Sequence, residues 1–111
     1  SMMYKIRETQ EAVKDVTDLA VYLIENFENP KASHDFLERY DKEIQQLKTF
    51  PFGYRGISFE YQGMEIRLKP YATYNIFFVV DQGIQEIIIL RVLKDRQNWK
   101  AILSGETDYR L

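Results

Sequence analysis

The amino-acid sequence predicts an α+β fold: a mainly antiparallel, twisted sheet packed against an N-terminal two-helix hairpin, with a short helix near the C-terminal end. Three observations carry this expectation. Apolar residues recur every three or four positions from Ala12 to Leu47, they alternate with polar ones from Ile57 to Lys69, and they run almost unbroken through two later segments.

Tyr4 and Ile6 alternate with Lys5 and Arg7, which suits a short strand with one wet face. From Thr9 the period changes. Ala12, Val13, Val16, Leu19, Ala20, Leu23, Ile24 and Phe27 form one apolar stripe, the mark of an amphipathic helix. Asn29-Pro30 stops this helix and starts another, because asparagine caps a helix well and proline fits its first position. The second helix carries Phe36, Leu37, Tyr40, Ile44 and Leu47 on one face, and Phe50-Pro51-Phe52-Gly53 ends the unit. The connector is short, so the two helices form an antiparallel hairpin whose joined stripes need a sheet to cover them.

Ile57, Phe59 and Tyr61, then Met64, Ile66 and Leu68, alternate with polar residues on either side of Gln62-Gly63, which predicts a β-hairpin closed by Pro70. The segment from Tyr74 to Val80 is apolar on both faces apart from Asn75, and after Asp81-Gln82-Gly83 the run from Ile87 to Leu93 is apolar until Arg91. Strands of that kind belong at the heart of a sheet. Asp95 is placed to cap a last helix bearing Trp99, Ile102 and Leu103, with Gly105 as its stop and the rest as a tail. No repeat or flexible linker interrupts the chain, so one domain over residues 1–111 is expected, with Ser1 reading as a cloning remnant.

Composition narrows the chemistry. The 111 residues contain no cysteine, which removes disulfides, thiol nucleophiles and cysteine metal sites. His34 is the only histidine and stands off the main helical stripe, so neither a zinc site nor a Ser-His pair is supported, and no cofactor or metal is expected. No apolar run approaches the length of a membrane span, and the expected location is the cytoplasm. Fifteen basic residues face 17 acidic ones, for a net charge of -2, so any surface for nucleic acid has to be local. Gly53, Gly56 and Gly63 are scattered turn glycines rather than a phosphate-cradling loop.

The run from Tyr74 to Asp81, followed by Ile88-Ile89-Leu90-Arg91-Val92-Leu93-Lys94-Asp95-Arg96-Gln97-Asn98-Trp99, resembles the C-terminal signature of the RelE/ParE superfamily of toxins, which includes plasmid-stabilisation proteins. In that family an aromatic-rich strand turns at an acidic residue, an Ile/Val strand reads out to Arg-Val-Leu, and a basic residue, an arginine and an aromatic follow. The upstream helical hairpin and Arg67 entering the meander are also similar.

The resemblance implies the toxin of a type II toxin–antitoxin system, neutralised by a cognate antitoxin and meeting operator DNA only through it. It implies one of two targets: the ribosome, where RelE-like members cut messenger RNA, or DNA gyrase, which ParE-like members poison. The site it implies comprises Arg67, Arg91, Lys94 and Arg96. In-line attack by a ribose hydroxyl on phosphate needs a proton acceptor, a proton donor and cations. Those four, with Lys69 and Lys100, are the candidate cations and Glu60 or Glu65 the candidate bases.

Three positions depart from the RNA-cleaving pattern. Asn75 stands where many such relatives carry an arginine, Lys94 where some carry histidine, and Trp99 lacks a tyrosine's hydroxyl. A second reading is therefore a catalytically inactive toxin-like module that only pairs with an antitoxin and modulates how that complex binds operator DNA. Each residue also has a plain structural alternative: Arg91 paired with Glu60 or Glu65, Trp99 seated on the sheet, Lys94 and Lys100 simply solvated. The functional reading expects the cations to gather in one concave face of the sheet.

Overall fold

The computed structural model describes residues 3–106 and 108–111, so the reading of Ser1 lies outside the described residues. A first strand, β1 (Lys5–Glu8), passes through one residue into helix α1 (Gln10–Phe27). That residue, Thr9, is fully buried and works in two directions: its hydroxyl oxygen accepts from the Ala12 backbone N–H at 3.0 Å and donates to the Leu90 carbonyl at 2.8 Å. The helix is thus capped and pinned to the sheet by one side chain. Asn29 caps the next helix, α2 (Pro30–Gln45), accepting from the Ala32 N–H, with Pro30 at the first position as expected.

Two short 3-10 turns, Gln46–Lys48 and Pro51–Gly53, lead to β2 (Gly56–Tyr61), β3 (Met64–Tyr71), β4 (Tyr74–Asp81) and β5 (Glu86–Lys94), and the chain then forms α3 (Trp99–Gly105). The sheet order is β1-β5-β4-β3-β2. β2 to β5 form an antiparallel meander, while β1 runs parallel to β5 at the opposite edge, with Ile6 opposite Ile87. Both central strands are covered on both faces. On one face Val16, Leu19, Phe36, Tyr40 and Ile44 of the hairpin pack on Ile76, Phe78, Ile87 and Ile89. On the other, Leu103 of α3 and Tyr109 of the tail pack on Ile66, Leu68, Phe77, Val79 and Ile88.

Local details differ from the expectations. Pro70 does not close β3, which continues to Tyr71. The Leu68 N–H turns toward the Arg55 carbonyl at 3.0 Å, and position 70, pointing the same way, lies beyond the end of β2, where proline forfeits no ladder bond. Asp95 does not cap α3. A turn closed by the Gln97 N–H on the Lys94 carbonyl intervenes, and Asn98 caps instead, accepting from the Ala101 N–H. The α1 stripe is wider than the sheet can cover, so Val13, Ile24 and Phe27 stay exposed. No helix among the described residues is long and apolar enough to cross a membrane.

Candidate functional site

The ladder between β4 and β5 breaks register between Phe77 and Phe78: Phe77 pairs with Arg91 and Phe78 with Ile89, leaving Leu90 extra. This bulge re-aims the strand and carries the Arg91 side chain to the first turns of α1. Its Nε and Nη2 donate to the two oxygens of Asp15 at 2.7 and 2.9 Å, and its Nη1 donates to Glu106 beyond α3. The same Asp15 carboxylate also accepts from the Val92 N–H at 2.9 Å. Hydrogen bonding to Asp15 above all, and to Glu106, holds the guanidinium even more firmly protonated than usual despite its burial. The expected alternative partners, Glu60 and Glu65, are thereby corrected: Arg91 is paired, but with a helix and the tail.

Arg67 is engaged elsewhere. Its Nη1 donates to the Tyr54 carbonyl at 2.8 Å, its guanidinium lies 5.0 Å from the centre of the Phe52 ring, and Glu65 is 3.5 Å away. Lys69 is almost fully buried, with Nζ donating to the Glu43 carbonyl and to Gln46 Oε1, both at 2.8 Å, and 2.7 Å from the Glu43 carboxylate. These two cations fasten β3 to α2 and the loop after it.

Lys94 and Arg96 are brought together. With Thr73 and Asp95 they line a hollow of about 280 Å³ at the end of the sheet. Lys94 Nζ sits 4.4 Å above the ring of Tyr22 on α1. Arg96 is exposed and has no hydrogen-bond or ion-pair partner among the described residues. It stands in the turn before α3 rather than in the helix's first turn, so the expectation that it begins the last helix is corrected. The four site candidates therefore occupy three settings: a locked network for Arg91, a loop clamp for Arg67, and an open hollow for Lys94 and Arg96.

The positions that depart from the RNA-cleaving pattern have structural partners. Asn75 is buried and donates to Asp95 Oδ1 at 2.6 Å, tying β4 to the turn after β5. Trp99 lies half-buried with its ring 5.4 Å from that of Phe77, the sheet-seated alternative. Lys100 Nζ hangs 5.6 Å from the Trp99 ring. His34 is 3.5 Å from Glu38, and no group of three or more His, Asp or Glu among the described residues is arranged to hold a metal ion.

Sequence reasoning missed Asp15 and Glu106. Asp15 is a polar position off the apolar stripe of α1, and Glu106 read as part of a tail. Tyr40, expected on the apolar face of the second helix, is buried there, its hydroxyl without a hydrogen-bond partner among the described residues and its ionisation pushed far up, by burial first and then by Glu8, Asp15 and Asp41.

A four-stranded antiparallel meander with a parallel first strand, backed by a helical hairpin and closed by a short helix, is the architecture of the small toxins of toxin–antitoxin systems. The chain belongs to the ParE toxin family of type II toxin–antitoxin systems, parDE, whose sequence model matches residues 6–99. No curated protein sequence matches the chain. Among solved structures it is similar to the chromosomal ParDE system of P. aeruginosa, with a TM-score of 0.68, 19% identity, and coverage of 85% of this chain and 98% of that one. It is also similar to the RelBE2 toxin–antitoxin complex of Mycobacterium tuberculosis, at 0.55, 18%, 83% and 98% respectively. The archaeal RelE-RelB complex of Pyrococcus horikoshii gives 0.55, 22%, 86% and 99%. At these identities the likeness is one of fold.

Proposed function

We propose that this ParE-family toxin arrests growth by binding DNA gyrase rather than by cutting message, and that a cognate antitoxin neutralises it. The observation that carries the reading is the commitment of Arg91: three of its five N–H donors go to Asp15 and Glu106 and its side chain is largely buried, which draws it away from a phosphate in flight. Asn75 is likewise turned into the fold toward Asp95. Arg91 and Asn75 are both held by partners inside the fold, apart from the hollow of Lys94 and Arg96, and the chemistry this arrangement favours is recognition. The antitoxin partner follows from the family and from the complexes in which the similar folds occur.

The test has two arms run on the same purified protein. Gyrase supercoiling is expected to fall in a dose-dependent way, while ribosomes translating a defined message show no new message ends. Ribosome-dependent cleavage with gyrase unaffected would overturn the reading in favour of the nuclease. Inactivity in both, with normal growth on induced expression, would favour the inactive antitoxin-binding module.

A further inference from the structure

The outer side of the helical hairpin carries an exposed apolar stripe. Val13, Thr17, Val21 and Ile24 of α1 follow one another at intervals of four, four and three, which sets them on one side of the helix. The three apolar members are between 41 and 48% exposed, and Leu37 of α2 is 41% exposed. Asp15, Leu19 and Tyr22 of α1 turn toward β5, where they line a hollow with Val92 and Lys94, so the stripe occupies the opposite flank, on the side of α2. On α2, Asp35, Phe36 and Arg39 line the hollow against the β3–β4 turn, which leaves Leu37 on the flank turned to α1. The stripe and Leu37 thus border a shallow groove along the hairpin, roughly 17 Å long between Val13 and Ile24 at a helix's rise per residue.

The hairpin is also the acidic part of the molecule. Residues 10–45 carry nine acidic and four basic side chains, whereas the rest of the chain carries eight acidic and 11 basic ones. Five of the nine carboxylates face a cation: Glu11 with Arg110, Asp15 with Arg91, Asp18 with Lys14, Asp35 with Lys31 and Glu43 with Lys69. Glu38 is met by His34 at 3.5 Å and feels Lys31 as well. Glu25, Glu28 and Asp41 have no hydrogen bond or ion pair to a cation among the described residues, and Asp41 faces a further carboxyl, that of Glu8. These three border the groove. Glu25 and Glu28 lie one turn beyond Val21 and Ile24, and Asp41 one turn beyond Leu37. The other two cations of the hairpin, Arg39 and Lys42, follow Asp35 at intervals of four and three, on the flank of α2 away from the groove.

From the exposed stripe and the carboxylates along its borders we propose that the outer groove of the hairpin docks a cationic amphipathic helix of a partner protein. Apolar side chains at three- and four-residue spacing on that helix lie against Val13, Val21, Ile24 and Leu37, and its lysines or arginines reach Glu25, Glu28 and Asp41 at the rims. Apolar contact supplies the affinity, and the rim charges select the sign of the partner. The same carboxylates work against other occupants. A second copy brings them against their own kind, and a nucleic acid or an anionic membrane meets like charge. The groove lies on the flank of α1 opposite Lys94, so this assignment goes beyond the gyrase reading and stands whether or not gyrase is the target.

Fluorescence anisotropy on the intact chain tests it, with a labelled Leu/Lys peptide of about 18 residues, its leucines at helical spacing, and a Leu/Glu peptide of the same pattern as control. The Leu/Lys peptide is expected to bind more than about tenfold tighter than the control, with an affinity that falls as salt is added. Ile24→Asp, and separately the double change Glu25→Lys with Asp41→Lys, should each weaken binding roughly tenfold. Asp108→Lys, an equal change of sign at an exposed position of the C-terminal tail, should leave it unaltered, which separates the groove from the acidity of the chain at large. Thermal melts confirm that each variant is folded. Equal binding of the two peptides, equal binding by the groove variants and Asp108→Lys, or no binding of the Leu/Lys peptide at millimolar concentration would overturn the assignment. So would sedimentation that finds a dimer dispersed by Ile24→Asp, which gives the groove to a second copy.

Discussion

Arg91 shows how one residue type serves two ends. Exposed at a strand end it is a ligand for phosphate; bent inward by the bulge it becomes the joint of β5, α1 and the tail. Its side chain and that of Asp15 are both largely buried. Truncation therefore leaves the largely buried Asp15 carboxylate and the partly buried Glu106 without their cation, a cost of about 3 kcal/mol. Arg91→Ala is expected to lower Tm by more than roughly 10 °C, whereas Arg96→Ala should leave the melt unchanged; equal melts for the two would refute the structural role of Arg91.

Glu8 makes the complementary case. Burial first, and the charge of Asp41 second, push its carboxyl above the usual glutamate range. A raised acid binds its proton more tightly folded than unfolded, so stability falls as pH rises from the ordinary glutamate value through the folded one, and the loss then persists at neutral pH. Glu8→Gln removes that loss. The variant should be more stable than the parent at pH 7 in urea unfolding, and the gap should close below the ordinary glutamate value. A gap that stays constant with pH would contradict this.

At the scale of elements, the helix starts were legible because capping is local: Thr9 and Asn29-Pro30 carry their signals within four residues. The central strands were legible because burial on both faces leaves an apolar run. Partnership was not. Nothing in Lys5-Ile6-Arg7-Glu8 says that β1 lies parallel to a strand some eighty residues away, and nothing in Asp95 says that Asn98, with equal capping chemistry, sits one turn nearer the helix. The candidate site was less legible than the fold, since a bulge at Leu90 decides where Arg91 points and bulges have no strong sequence mark. The β3–β4 turn holds a testable element-scale strain: Ala72 has φ of 53°, where a Cβ is unfavourable. Ala72→Gly should stabilise the protein by about 0.5–1 kcal/mol, read as a rise in Tm; a fall would mean that the turn tolerates its alanine.

For the whole molecule, the sheet divides labour between its two sides. The hairpin side is anchored by Lys69 on Glu43 and the opposite side by α3 and Tyr109, so the sheet cannot present the single concave cationic face that the sequence led one to expect. Lys94 and Arg96 lie instead at the end of the sheet near Thr73, while exposed apolar residues lie along α1 at Val13, Ile24 and Phe27.

The parallel edge strand also governs the order of assembly. The meander needs only near neighbours in the chain, but the bond from Thr9 to Leu90 spans 81 positions, and the Gln10 N–H donates to the Arg110 carbonyl across a longer stretch still. β1 is therefore expected to dock after the meander exists. The cap of α1, made by the same threonine, is expected to mature with it, and amide exchange should find the N-terminal edge opening before the central strands.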